Sequence, residues 1–327
     1  MKYVGIDISK NKLDVHLRPD NISFVIKNNK DDIGKLTKQL KELNVEIVVM
    51  ESTGGLEMPL LISLFDAGVN VASVNPRKTR AFALALGYLE KTDKIDSQVI
   101  AHFAEALKPC CQVIPDAQTR EMNALMVRRR QMMEMLIAEK NRLSSTLDSV
   151  ITRLDEHILW LENELTAIDS ALNLHISSRT EFIKKEKLLT AVKGVGKVLS
   201  KALLSGLPEL GILSNKKISK LVGVAPINKD SGKFKGKRMI CGGREDIRTA
   251  LYMPTLSAIR WNKAIKEFYQ RLIASGKPKK VAIVACMHKL LVILNSIIRT
   301  GKNWDKNFKE NSSKLPLQPI TIVCHVV

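Results

Sequence analysis

The stretch YVGIDISKNKLDVHLRPDNISFVIK, residues 3–27, decides the fold. Apolar residues alternate with others in three short bursts: Val4 and Ile6, then Leu13, Val15 and Leu17, then Ile22, Phe24 and Ile26. A period of two marks half-buried strands, and connections this short predict a meander. A helical stretch from about Asp31 to Leu43 follows, then the β-branched run Val45 to Val49, which leads to Glu51 and the turn-former Gly54-Gly55. Leu60, Leu61 and Leu64 keep helical spacing as far as Gly68, Val69 to Val74 reads as a further strand, and Pro76 closes it.

Three strands, a helix, a strand, a helix and a strand is the RNase H-like order, so an α/β domain of that class is expected over residues 1–108. Two prolines between Pro109 and Pro115 mark a linker. Beyond it the pattern is purely helical. Leu147, Ile151, Leu154, Ile158, Leu161, Leu165, Ile168 and Leu172 alternate steps of four and three, a heptad seam that needs a partner helix. A hairpin within the chain and an oligomer both supply one. Residues 109–180 are therefore read as linker and coiled-coil helices, 181–303 as a mainly α domain and 304–327 as a tail. Within that α domain, the C-terminal helices are expected over Asp246 to Ser275 and Val281 to Thr300.

Charge separates the two halves. The chain carries 52 Lys and Arg against 33 Asp and Glu, a net +19, which favours a polyanionic partner. Residues 1–108 hold 15 basic and 14 acidic side chains, whereas Lys184 to Arg244 hold 15 and 3. The phosphate-binding surface is expected in the second half. Five cysteines, an odd number without zinc-site or disulfide spacing, fit a reducing compartment. No apolar run approaches the roughly 20 residues that span a bilayer, so a cytoplasmic, nucleoid-associated protein with no membrane contact is expected.

Four acids stand where strands end or a helix begins. Asp7 ends the first strand, Glu51 lies just past the fourth, and Asp93 and Asp96 are three apart at a helix start, so they share one face. Singly they have ordinary roles: Asp93 as a helix cap, Asp7 closing a turn, Glu51 on a solvated loop. Together, four carboxylates repel one another unless cations neutralise them, and hard oxygen ligands suit Mg²⁺ or Mn²⁺. Two such ions can activate the attacking oxygen and stabilise the leaving oxygen of a phosphodiester.

In the basic half, Lys193-Gly194-Val195-Gly196-Lys197 lies between helical stretches, like a helix-hairpin-helix turn whose N–H groups hold a phosphate; a plain turn between packed helices is the alternative. Downstream, Ser231 sits in a cationic run that continues through Lys233, Lys235, Lys237 and Arg238 to Arg244 and Arg248. A hydroxyl there is a candidate nucleophile if a metal or base takes its proton, although an Asp-Ser-Gly triplet is also an ordinary turn.

Gly5-Ile6-Asp7, Glu51-Ser52-Thr53-Gly54, Lys91-Thr92-Asp93-Lys94-Ile95-Asp96, then Ser231-Gly232, Gly242-Gly243 and Arg248 resemble, in order and over about residues 1–303, the DEDD transposases of the insertion-sequence-110 group, related to Piv-type DNA invertases. The resemblance implies a RuvC-like domain whose quartet is Asp7, Glu51, Asp93 and Asp96, a coiled coil, and a transposase domain with Ser231 as catalytic serine. It also implies a prokaryotic enzyme that acts on double-stranded DNA at element ends and target, as a homo-oligomer, dimer or tetramer, with a composite site between subunits. A structured noncoding guide RNA from the element is a further implied partner. Lys193 departs from the proline that many relatives have at that turn.

Three rival readings compete with a transposase. A hydrolytic nuclease or junction resolvase would use the same acids with water in place of Ser231. An actin-like ATPase or sugar kinase would use Asp7 and Gly54-Gly55 as phosphate-binding elements and leave Asp93, Asp96 and the basic segment idle. A non-enzymatic nucleic-acid-binding protein would keep its activity without Asp7.

Overall fold

The computed structural model describes residues 1–88, 90, 92–111, 114–228, 230–232, 234–236 and 238–304, with backbone alone for Lys94, Phe234 and Lys235. Its described residues divide into two compact units, Met1–Ile114 and 115–304.

In the first unit β1 (Tyr3–Ile8), β2 (Lys12–Arg18) and β3 (Ile22–Lys27) form the meander. Helix α1 (Lys30–Glu42) leads to β4 (Ile47–Glu51), α2 (Met58–Asp66) leads to β5 (Val71–Val74), and α3 (Pro76–Ala85) and α4 (Asp93–Leu107) complete the unit. The sheet is mixed, in the order β3-β2-β1-β4-β5, with β4 and β5 parallel to β1 and β2 antiparallel to it.

The period of two sorts the side chains onto two faces. Val4, Ile6 and Ile8 point into a core shared with Leu36 and Leu40 of α1 and Leu60, Leu61 and Leu64 of α2. Tyr3, Ile47 and Val49 point the other way, under Ile100, Phe103 and Ala104 of α4. Gly5 lies on this second face. A Cβ there would stand 2.1 Å from the Ala101 nitrogen and 2.4 Å from the Ser97 oxygen, so the missing side chain is what lets α4 lie directly on β1.

Pro76 ends the extended segment, as expected, but it also opens α3, which the sequence reading lacks. Asn75 accepts a hydrogen bond from the Arg77 N–H (2.9 Å), and proline at the first helical position sacrifices no helical bond.

The second unit is helical apart from one small hairpin among the described residues. It runs α5 (Ala117–Leu143), α6 (Asp148–Ser177), α7 (Thr180–Thr190), α8 (Lys197–Gly206), α9 (Asn215–Val222), the short strands β6 (Asp230–Ser231) and β7 (Phe234–Lys235), α10 (Glu245–Trp261), α11 (Lys263–Ala274) and α12 (Lys279–Thr300). From Ile158 to Leu172 the heptad seam of α6 is buried, and α5 of the same chain supplies the partner helix. Arg129 of α5 forks onto Asp169 of α6 at 2.8 and 3.0 Å, a bidentate pair that fixes the register. The start of the seam remains outside this packing, with Leu147 78% exposed.

Two expectations are corrected here. The run from Asp246 to Ser275 is two helices, because Asn262 takes extended backbone angles (φ −101°, ψ 112°) and caps α11. Helix α12, at 22 residues, is long and apolar enough by composition to cross a membrane. Its apolar residues are spent on the core instead: Cys286, Leu290, Leu291, Leu294 and Ile297 are fully buried against the other helices.

Candidate active site

Parallel pairing builds the acidic cluster. Gly5 pairs with Val49, so Asp7 and Glu51 stand two residues further along neighbouring strands, on the face that α4 covers. Helix α4 starts above them. Thr92, not Asp93, is its cap, accepting from the Ile95 N–H at 3.3 Å, which leaves both Asp93 and Asp96 in the first turn. The side chains of such a turn point back towards the helix N-terminus, and so towards the strand ends.

The electrostatics report the meeting. Burial, then the negative charges of Asp96, Glu51 and Asp93 in that order, push the Asp7 carboxyl up to about 6. One carboxyl therefore feels the other three. Among the described residues no three His, Cys, Asp or Glu side chains converge closely enough to hold an ion as they stand. The four acids are gathered and charge-coupled without closing on one point. Their chemistry, oxygen donors alone with strong mutual repulsion, fits hard divalent cations.

Several residues around the acids were not found from sequence. Lys12 of β2 reaches Asp93 at 2.8 Å and Asp14 at 3.1 Å, and its hydrogen bonds to Asp93 and then Asp14 raise its ammonium above the usual lysine range. Thr79 of α3 donates to Oε1 of Glu51. Glu57, 8% exposed, accepts from the Thr53 and Gly55 N–H groups at 3.1 and 2.8 Å and so fixes the loop that follows Glu51. Glu51, Asp96, Arg77, Thr79 and Arg80 line one open cleft of about 480 Å³. The capping pair Asn75-Pro76 was the available signal for α3; single Lys and Thr residues without periodicity offered none.

Ser231 belongs to the other unit. It ends β6, paired with Phe234 of β7, and Gly232 turns the hairpin with φ +55°. The serine is exposed where β6 enters the hairpin turn, so the Asp-Ser-Gly triplet does form a turn, one that closes a hairpin. An Ile227–Met239 bridge closes the hairpin below. Lys233 and Lys237 lie outside the described residues, as does the side chain of Lys235. Arg238 is exposed.

Arg244 and Arg248, read from sequence as phosphate ligands, have partners inside the chain. Arg244 forks onto Glu209, both contacts 2.6 Å, and Arg248 donates to the Gly242 carbonyl at 2.6 Å. Arg244 thus ties the segment after the hairpin to Glu209 and, through its N–H on the Leu221 carbonyl at 2.9 Å, to the end of α9, while Arg248 ties the same segment to α10. Lys193 and Lys197 are exposed at the turn between α7 and α8. Gly194 packs on α10, where a Cβ would stand 2.6 Å from the Ala258 nitrogen, while Gly196 is exposed at the N-cap of α8.

Two family models match the chain. One, for DEDD transposases of the IS110 type and described as Transposase, matches residues 4–152; the other, described as Transposase IS116/IS110/IS902 family, matches residues 186–270. The chain belongs to the IS110 family of transposases. It is accordingly an enzyme of DNA recombination. The first match spans all four acids and the second spans Ser231.

Relatives of this IS110 transposase include the pilin gene-inverting proteins of Moraxella bovis and Moraxella lacunata, each 29% identical over 321 residues, covering 94% of this chain and 99% of theirs. An insertion element IS110 protein of Streptomyces coelicolor is 23% identical over 192 residues, 53% of this chain and 47% of its own. Among solved structures, Thermus thermophilus RuvC aligns with 35% of the chain over its full length, at 16% identity and a TM-score of 0.28.

Proposed function

We propose that this IS110 transposase cuts and rejoins double-stranded DNA at element ends and target, using a RuvC-like, RNase H-like first unit and Ser231 of the second. The observation that carries the reading is the placement of four acids at two neighbouring strand ends and one helix start, with Glu51 and Asp96 lining one cleft and Asp7 charge-coupled to the other three. Asp7, Glu51, Asp93 and Asp96 would hold divalent cations, Mg²⁺ or Mn²⁺. When bound, such ions supply Lewis-acid polarisation of the phosphodiester and lower the pKa of a hydroxyl beside it.

The Ser231 hydroxyl attacks the phosphorus. An Oγ–P bond forms, the P–O bond to one side of the strand breaks, the departing sugar oxygen takes a proton, and the hydroxyl proton leaves to base or solvent. Attack by a DNA hydroxyl on the phosphoserine reverses the exchange and rejoins a strand, so bond energy is conserved without a nucleotide cofactor. Lys193, Gly194, Gly196, Lys197, Lys233, Lys235, Lys237 and Arg238 form the nucleic-acid surface; Arg244 and Arg248 support it from below. The exposed start of the α6 seam supports assembly into an oligomer with a composite site. The concentration of positive charge between Lys184 and Arg244 supports binding of a noncoding guide RNA as well as DNA. The 99% coverage of the pilin gene-inverting proteins supports extending DNA inversion or transposition chemistry to the whole chain.

The test mixes purified protein, its element's DNA junction, the flanking RNA and Mg²⁺, and looks for a protein–DNA adduct that survives denaturation. An adduct in the wild type and none in Ser231→Ala is expected. Cleavage without an adduct, unchanged by Ser231→Ala, would establish a hydrolytic nuclease that uses water.

A further inference from the structure

We infer that Thr79 is the positioning residue for Glu51: its hydroxyl holds one carboxylate oxygen against the repulsion of Asp7 and Asp96 and so keeps the other available for a divalent cation. This rests on the proposed cation-binding role of the four acids.

The placement follows from the chain path. Glu51 pairs with Val74, the last residue of β5, and α3 begins two residues later at Pro76, capped by Asn75. Thr79 is therefore in the first turn of a helix that starts beside the end of β4. Its Cβ tilts towards the helix N-terminus, as in every α-helix, and that direction is towards Glu51. Thr79 is 2% exposed. Its Oγ1 contacts two acceptors, Glu51 Oε1 and the Pro76 carbonyl, the latter at 2.9 Å. A hydroxyl carries one proton, and an ionised carboxylate is the stronger acceptor of the two. With that proton donated to Glu51 the Pro76 carbonyl is only the alternative acceptor, and it is burial of the Thr79 side chain that limits its rotamers and keeps the donor aimed before any ion arrives.

The need for such a device comes from the charge pattern. Asp7 and Asp96 are close enough to act on each other, and Glu51 and Asp96 line the same cleft. Without an ion, repulsion favours swinging the flexible Glu51 side chain outwards. A buried donor on one oxygen opposes that motion and leaves the second oxygen for ligation. Outer hydrogen bonds of this kind typically contribute about 10–100-fold to metal affinity. Valine has nearly the shape of threonine and no hydroxyl, so Thr79→Val removes the bond with little change in packing. Thr79→Ser keeps the hydroxyl and loses a methyl.

The experiment titrates the full-length protein with Mn²⁺ and measures free ion by electron paramagnetic resonance, comparing wild type, Thr79→Val, Thr79→Ser and Glu51→Gln, with thermal melts of each. The expected result is Mn²⁺ affinity about 10-fold or more weaker in Thr79→Val, restored in Thr79→Ser, at similar melting temperatures. If Thr79→Val melts below the assay temperature, Thr79→Ala takes its place and is judged by the same comparison with Thr79→Ser. Equal affinity in wild type and the hydroxyl-free variant, with Glu51→Gln weakened, would overturn the role of Thr79 and leave the cation site standing. Equal loss in the hydroxyl-free and serine variants would assign the effect to packing and also overturn it. Wild-type protein that binds no Mn²⁺ would instead overturn the reading of the four acids.

Discussion

The acidic cluster and the Ser231 hairpin are built in opposite ways. Asp7, one residue from the end of β1, and Glu51, the last residue of β4, follow buried residues, and α4 lies so close on β1 that Gly5 has no room for a Cβ. Ser231 stands at the end of a two-residue strand with exposed neighbours, tied to its unit through the Ile227–Met239 bridge and the links of Arg244 and Arg248. One set of groups is held by a packed core, the other by a few hydrogen bonds and ion pairs. The difference teaches where each unit tolerates change. Repelling carboxylates need a frame that cannot relax, whereas a nucleophile that must meet a phosphodiester gains from accessibility.

The largest expected effect comes from removing a carboxylate from the rigid frame. Asp7→Asn should lower strand cleavage by on the order of 10³-fold or more, since ion-assisted stabilisation of the transition state is several kcal/mol, while gel-shift affinity for DNA is retained. Equal loss of cleavage and binding would show a folding defect and break the contrast. Next comes the frame itself. Gly5→Val should cost the first unit about 3 kcal/mol, at the upper end for overpacking, because the obstructing atoms are the backbone of α4; urea denaturation followed by circular dichroism measures it. A change within error would mean that α4 does not bear on β1 as described.

On the accessible side, replacing Lys233, Lys235 and Lys237 together with Ala should make the slope of log K against log salt shallower by about 2.7 if each contacts one phosphate. An unchanged slope would remove these lysines from the interface. The smallest effect concerns stability without metal. With its carboxyl raised to about 6, Asp7 costs the folded state more as pH rises through the range from 4 to 6, and the cost is complete above it. In chelator at pH 8, Asp7→Asn should therefore melt higher than wild type, by up to about 1 kcal/mol of stability after solvent screening, and the gain should vanish near pH 3. A lower melting point at pH 8 would show that Asp7 contributes structure beyond its charge.

How much was legible follows the same division. The alternation in residues 3–27, the β-branched run before Glu51 and the spacing of Asp93 and Asp96 are periodic signals, and periodicity reports burial. It located the strands within a residue or two and placed the acids at their ends. Helix α3 is invisible to a reading of Pro76 as a strand terminator alone, although proline is at home in a first helical turn. The β6–β7 hairpin is too short to show a period at all. Arg244 and Arg248 have the composition of phosphate ligands, and only the fold reveals Glu209 and the Gly242 carbonyl as their partners. Lys12 reaches Asp93, and Thr79 reaches Glu51, from elements far apart in the chain, where no local pattern exists.

Helix α12 bears on how the chain survives its own synthesis. A 22-residue apolar segment exposes a large aggregation-prone surface when it emerges bare. Here it is the last of the described helices to be translated, and α7, α9, α10 and α11, which pack on it, precede it. Domains fold as units, and α12 is part of the second unit's own core, so the segments that cover it have all been made by the time it leaves the ribosome and the unit can close at once. Moving the same helix to the front of the second unit by circular permutation would leave every native contact available and yet expose it throughout translation.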